Sequence, residues 1–240
     1  MYEPREYRHW VKGKDLVSFN ATVKETDLYI RAGSNLKSKA LDSIVEYRDA
    51  LEKYIRTHPV FLSTLEPYTV EDSAPTIVRD MAQAAQIAGV GPMAAVAGAI
   101  AEAVGKELLD YSPEIIVENG GDIFMKSLKN RLIGIYAGPS PFTGKIAMEI
   151  EPGETPLGLC TSSKTVGHSI SFGEADAVIV LSHSTALADA AATAIGNRIK
   201  TVDDIAVEID WSQGIVGLEG VVIIKDDKIG LWGKTKLVSL

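Results

Sequence analysis

Two side chains in an alanine-rich stretch of this 240-residue chain have the types and spacing of a metal site. Asp189 and Thr193 are four residues apart, so on a helix they lie on one face, one turn apart. A carboxylate and a hydroxyl paired in this way at the start of a helix suit Mg²⁺, which completes its coordination with water and substrate phosphates. The structural alternative is that Asp189 favours the dipole of its helix while Thr193 bonds back to a carbonyl one turn earlier.

A second stretch, Asn119-Gly120-Gly121-Asp122, has the composition of a phosphate-binding turn. Paired glycines let backbone amides approach a phosphate with no Cβ in the way. The same four residues are equally typical of a tight turn or a bulge between two strands.

Two further residues could carry proton or nucleophile chemistry. His168 lies among small residues, and its ordinary pKa near 6.5 would suit acid–base work at neutral pH, although an exposed loop histidine is often idle. Cys160 precedes a polar segment, and Lys164 or His168 could lower the pKa of its thiol enough to make a nucleophile. The alternative is that Cys160 is a small buried apolar residue.

Composition limits the partners and the compartment. The net charge of −8 argues against nucleic acid, which needs clustered Lys and Arg. Cys160 is the single cysteine, so an internal disulfide is impossible, and a reducing compartment is expected. The polar, charged residues 1–6 do not resemble a secretory signal, so we expect a cytoplasmic protein.

The uncharged run from Met81 to Ala101 has about the length of a membrane span. Gly89 and Pro92 interrupt it, and alanine and glycine dominate it, so it would insert poorly. We therefore expect no membrane contact, but a buried helix over 75–88 followed by a second helix that Pro92 opens.

Hydrophobic periodicity predicts the remaining elements. Residues 16–23 and 28–30 form a hairpin, and a long amphipathic helix covers 36–56. The strand-like stretches that follow are 114–125, 132–137, 145–150 and 177–181, and then come a helix over 202–209 and a closing hairpin, 220–225 with 228–232. Because strands and helices come in blocks, the predicted class is α+β in one domain, residues 1–240.

The order of these motifs resembles that of the ApbE superfamily, which includes the flavin transferases that move FMN from FAD onto a protein threonine. The residues that carry the resemblance are Asn119 to Ile123, Thr161-Ser162, His168, and Ala188 to Ala194. Gly89 to Ala95 and Gly158 to Ser163 make the chain more similar still to the UPF0280 branch. The implied fold is ApbE-like and T-fold-like, with mixed or antiparallel sheets packed against Ala/Gly-rich helices.

This resemblance implies Mg²⁺ on Asp189 and Thr193, against the pyrophosphate of FAD, with the Asn119–Asp122 turn, Thr161 and Ser162 near the ligand. The transferases continue from their histidine through an acidic residue and a proline, which this chain lacks after His168. Three functions stay open: a phosphorylated-ligand protein related to the transferases, a sulfur-assimilation protein of anaerobic microbes that uses Cys160, and a non-catalytic interaction protein. A homo-oligomer is compatible with each of them.

Overall fold

The computed structural model describes residues 15–163 and 172–240. Most of the described strands form one antiparallel sheet in the order β1-β2-β3-β4-β7-β8-β9-β10. These strands are β1 (Val17–Val23), β2 (Thr26–Ala32), β3 (Ile115–Asn119), β4 (Asp122–Lys126), β7 (Leu157–Ser162), β8 (Ala177–Ser182), β9 (Leu218–Lys225) and β10 (Lys228–Gly233). A smaller sheet, in the order β11-β6-β5, comprises β5 (Arg131–Gly134), β6 (Ile146–Ile150) and β11 (Leu237–Ser239). The helices are α1 (Lys37–Thr57), α2 (Val60–Ser63), α3 (Thr76–Ala88), α4 (Val96–Leu108), α5 (Thr185–Arg198) and α6 (Asp204–Ser212).

Both predicted hairpins are confirmed. β1 pairs with β2 across a turn in which Lys24 has φ 52°, and β9 pairs with β10 across a turn in which Asp226 has φ 54°. The predicted β region 114–125 is two strands, β3 and β4, and strand β7 was missed because Gly158 and Cys160 weaken its pattern. With helices on one face of the large sheet, the α+β class is confirmed.

The predicted buried helix pair is confirmed, with a different start for its second member. α3 ends at Gly89, whose φ of 72° is the left-handed conformation that commonly closes a helix. Pro92–Ala95 form a 3-10 turn, and α4 begins only at Val96. Within the described residues, no single helix is both long and apolar enough to cross a membrane; the two helices reach that length and composition only together, with a bend of 106° between them.

Helix α5 is alanine-rich because it is buried on nearly all sides. It packs against α3, α4, β7 and β8, and every residue from Thr185 to Gly196 is buried. A Cβ on Gly158 would lie 2.5 Å from the Cα of Thr185, so the backbones of β7 and α5 are almost in contact. Asp189 was expected at the start of its helix; it lies a full turn inside, since α5 begins at Thr185.

The large sheet separates two apolar cores, and strand alternation decides which side chains reach each core. One core lies under the helices and includes Val117, Phe124 and Cys160. The other lies between the two sheets and includes Ile116 and Leu159. Neighbouring residues of one strand therefore face opposite environments, which divides the predicted site residues between two sides of the sheet.

Candidate functional site

The Asn119–Asp122 stretch is a two-residue β-hairpin turn. Asn119 and Asp122 pair across the end of β3 and β4, and the loop between them is Gly120, with φ 68°, and Gly121, with φ 109°. Positive φ at both loop positions strongly favours glycine, so the turn itself accounts for both residues. The turn nevertheless leaves the glycine backbone without a covering Cβ at the ends of β3 and β4.

The side chains that flank this turn point under the helices. Nδ2 of Asn119 donates a 3.0 Å hydrogen bond to the carbonyl of Ala97, which ties the hairpin to the first turn of α4. Asp122 is 7% exposed, and its Oδ1 accepts a 3.3 Å hydrogen bond from the backbone N–H of Thr161 on β7. The hairpin, β7 and α4 therefore meet around these two residues.

Asp189 reaches the same place from α5. Its Oδ2 accepts a 2.8 Å hydrogen bond from the N–H of Gly98, in the first turn of α4. The carboxylate therefore caps a neighbouring helix, whose N-terminal dipole favours negative charge, and not its own helix as the structural alternative supposed. This contact requires Gly98, since a Cβ there would lie 2.4 Å from the carbonyl oxygen of Thr185 and 2.8 Å from Cβ of Asp189.

Two buried carboxyl groups thus lie near each other. Burial raises the pKa of Asp122 to about 7, with a smaller contribution from Glu118. Burial raises the pKa of Asp189 well above its usual range, and the charge of Asp122 adds to this effect. Among the contributions to these two shifts, none comes from a lysine or an arginine of the described chain.

Cys160 lies beside this acidic pair. It is fully buried, and its Sγ is 3.4 Å from the carbonyl oxygen of Thr185, which it can donate to. Burial and the charges of Asp122 and Asp189 raise the pKa of the thiol well above its usual range. This is opposite to the lowering expected for a nucleophile, and Lys164 and His168, which were to cause that lowering, lie outside the described residues.

The other predicted ligands divide between the two faces. Thr193 is buried on α5, one turn beyond Asp189. Ser162 lies under the same helix, where a Cβ on Gly196 would be 3.2 Å from its Oγ. Thr161, in contrast, belongs to the opposite face of β7. The described structure therefore brings Asn119, Asp122, Asp189 and Cys160 together on the helix side.

On the other side of the sheet, the turn opens into a cleft between the two sheets. The empty volume of the cleft, including open solvent, is about 860 Å³. Its walls are mostly apolar, and the polar residues along them are Tyr29, Arg31, Glu118, Tyr136 and Thr161. Gly120 and Gly121 line it as well.

Sequence reasoning missed most of this cleft. A signal existed for Glu118, which is only 6% exposed and directly follows the apolar residues 115–117 of β3. No comparable signal marks Arg31 or Tyr29, because only the sheet order places β2 beside β3.

The donor set on the helix side is compatible with Mg²⁺. This ion prefers oxygen ligands and needs only one or two carboxylates, since water and phosphates supply the rest. Asp122, Asp189 and Thr193 are all oxygen donors, and a cation would offset the charge of the two buried carboxyl groups. Among residues 15–163 and 172–240, no three His, Cys, Asp or Glu side chains are grouped to hold a metal, so a site made by protein carboxylates and thiols alone is not formed there.

Comparison with known proteins relates both the sequence and the fold to described families. A family model described as "AbpE bacteria" matches residues 8–213. A UPF0280 protein of Methanocaldococcus jannaschii is 45% identical over 218 residues, 88% of each chain. A UPF0280 protein of Methanopyrus kandleri is 39% identical over 233 residues, 94% of each chain.

The solved structures that resemble this fold are distant in sequence. The apo flavinyl transferase ApbE of Pseudomonas stutzeri superposes with a TM-score of 0.55 at 12% identity, over 93% of this chain and 95% of that one. The ApbE protein of Thermotoga maritima gives a TM-score of 0.55 at 11% identity, over 90% and 96%. The flavin transferase ApbE of Vibrio cholerae gives 0.51 at 16% identity, over 93% and 97%. The chain therefore belongs to the UPF0280 family and has the fold of the ApbE flavin transferases.

Proposed function

We propose that this protein binds a flavin nucleotide, FAD, together with Mg²⁺ where strands β3 and β4 of the large sheet end. The observation that carries the proposal is the position of the Gly120-Gly121 turn. On one side of it lie the buried carboxyl groups of Asp122 and Asp189, and on the other side opens the cleft. A ligand with a charged pyrophosphate between two ring systems could use both environments at once.

Different parts of the site would bind chemically different parts of the ligand. Asp189 and Thr193 would hold Mg²⁺, which would neutralise the charge of the pyrophosphate. The backbone at Gly120 and Gly121 would approach the phosphate oxygens, since no Cβ lies between them. The apolar cleft walls would take a ring, with polar groups of the cleft such as Thr161 meeting its edge.

Binding is a narrower proposal than FMN transfer. Transfer would break the phosphoanhydride bond of FAD, join FMN to a hydroxyl of an acceptor and release AMP and a proton. The transferases place an acidic residue and a proline after their histidine, and Ser169 to Gly173 contain neither. We therefore propose flavin-nucleotide binding as the retained property. Release of AMP from FAD would be the evidence that the protein also transfers FMN.

The test is a titration of the full chain with FAD, with and without Mg²⁺, followed by flavin fluorescence. Asp189→Asn keeps the size of the side chain and an oxygen that can accept from Gly98, but removes the charge. We expect it to weaken Mg²⁺-dependent binding by more than about 100-fold, because removing even an outer-shell partner of a metal costs 10–100-fold. Asp227→Asn, in the exposed turn between β9 and β10, is the matched control and should bind as the unchanged chain does.

The outcome of this titration distinguishes between the functions that the sequence left open. Mg²⁺-dependent binding that Asp189→Asn abolishes supports the proposal. An absence of binding at millimolar FAD refutes it and leaves the sulfur-assimilation and interaction-protein hypotheses. The raised pKa of Cys160 disfavours a sulfur-assimilation mechanism that needs a thiolate at this residue. The cytoplasmic location and the homo-oligomer stay predictions.

A further inference from the structure

Glu102 on α4 occupies the N-terminus of α5. Its Oε2 accepts hydrogen bonds from the backbone N–H groups of Thr185, at 2.7 Å, and Ala186, at 3.3 Å. Glu102 is 9% exposed, and its other oxygen pairs with Lys106 at 2.6 Å. A buried carboxylate therefore lies where the helix dipole of α5 would attract an anion.

The first turn of α5 leaves no N–H group for a ligand. The N–H of Ser184 donates to Oγ of Ser182 at 3.1 Å, and that of Leu187 donates to Oγ of Ser184 at 3.2 Å. Thr185 and Ala186 donate to Glu102. These are the four groups that an α-helix cannot pair internally. The N-terminus of α5 is thus closed, and any phosphate must be bound elsewhere.

The contacts between α4 and α5 form a two-point clamp. Gly98 and Glu102 are four residues apart on α4, and Thr185 and Asp189 are four residues apart on α5, so each pair spans one helical turn. Gly98 donates to Asp189 at one point, and Thr185 donates to Glu102 at the other. Two contacts separated along the axis restrict both the sliding and the rotation of α5, whereas one contact would leave a pivot.

We propose that Glu102 is a positioning residue that holds the carboxylate of Asp189 in place for the metal. This inference rests on the proposed function, because it concerns the same Mg²⁺ site. In this proposal Glu102 contacts neither the metal nor the nucleotide. It acts by fixing the position of α5 along α4. Its loss would remove one of the two points of this clamp, so that only the bond from Gly98 to Asp189 is left of it.

The expected effect lies in metal affinity. Glu102→Ala removes both acceptor bonds, and we expect the Mg²⁺ concentration at half-saturation of FAD binding to rise about tenfold, as for loss of an outer-shell partner. At saturating Mg²⁺, FAD should bind as tightly as to the unchanged chain. Glu102→Gln keeps an acceptor oxygen and should restore most of the loss. Lys106→Ala removes only an exposed ion-pair partner and should change little.

The experiment is a Mg²⁺ titration at fixed FAD on the four full-length chains, with circular dichroism to show that each is folded. If the unchanged chain shows no Mg²⁺-dependent binding, the proposed function fails, and this inference fails with it. If the unchanged chain binds but a folded Glu102→Ala variant has the same half-saturation, only the inference about Glu102 fails. If Glu102→Ala does not fold, Glu102→Asp decides, because its shorter side chain withdraws the acceptor from Thr185 and Ala186: a shift above that of Lys106→Ala supports the clamp, and an equal value overturns it.

Discussion

Gly98→Ala tests the close contact between α4 and α5 on which the candidate site depends. The added Cβ would lie 2.4 Å from the carbonyl oxygen of Thr185, while ordinary contact begins at 3.4 Å. The helices must therefore separate by about 1 Å, the difference between these two values. A shift of this size would stretch the 2.8 Å hydrogen bond from Gly98 to Asp189 beyond a useful length.

Three contributions set the size of the change in the free energy of unfolding. Overpacking of a buried contact costs about 1–3 kcal/mol, and leaving the buried N–H of Gly98 without an acceptor costs about 1–3 kcal/mol. Alanine recovers up to about 1 kcal/mol through its higher helix propensity. The free energy of unfolding should fall by about 1–5 kcal/mol, which for a chain of this size lowers the melting temperature by roughly 2–20 °C.

The assay is thermal and urea unfolding of the unchanged chain and of two variants. Gly153→Ala is the matched control, since nothing lies within 4 Å of a Cβ there and its φ is not positive. It should leave the melting temperature unchanged or raise it slightly. A Gly98→Ala variant that is as stable as the Gly153→Ala variant would refute the close approach of α4 and α5.

Three other perturbations follow from the described contacts. Since the pKa of Asp122 is raised to about 7 in the folded chain, the folded state binds the proton more tightly than the unfolded state, and the free energy of unfolding should fall as pH rises from about 4 to 7. Asp122→Asn should reduce this pH dependence in unfolding curves measured across the range. An unchanged pH dependence would contradict the raised pKa of Asp122. The buried thiol of Cys160 should resist alkylation until the chain unfolds, whereas rapid labelling with a midpoint below pH 8 would restore the thiolate hypothesis. Arg131→Met should cost about 1.5–3 kcal/mol, because Asp15 and Glu114 lose the buried guanidinium that they share. Adding Glu114→Gln should recover part of this, and a double variant no more stable than the single one would exclude that cause.

Local sequence patterns predicted much of the fold. The hairpins of β1 with β2 and of β9 with β10, the long helix α1 and the break between α3 and α4 all depend on periodicity and on Gly or Pro, which act within a few residues. Boundaries differed where local signals conflict: Pro92 starts a 3-10 turn, and α4 follows it.

The sequence by itself determined the chemical groups available at the candidate site. These are the carboxyl groups of Asp122 and Asp189, a paired-glycine turn, one thiol and an alanine-rich helix. Only the tertiary structure decided where these groups point. Strand alternation and sheet order, which depend on pairings between distant segments, place Asp122 under the helices and Thr161 in the cleft. Packing of α5 against α4 and the sheet brings Asp189 to the side of Asp122. Together they also place Cys160 next to buried carboxyl groups, which raises a pKa that its sequence neighbours suggested would fall. Burial and long-range contact set the electrostatics of the site, and neither can be read from spacing along the chain.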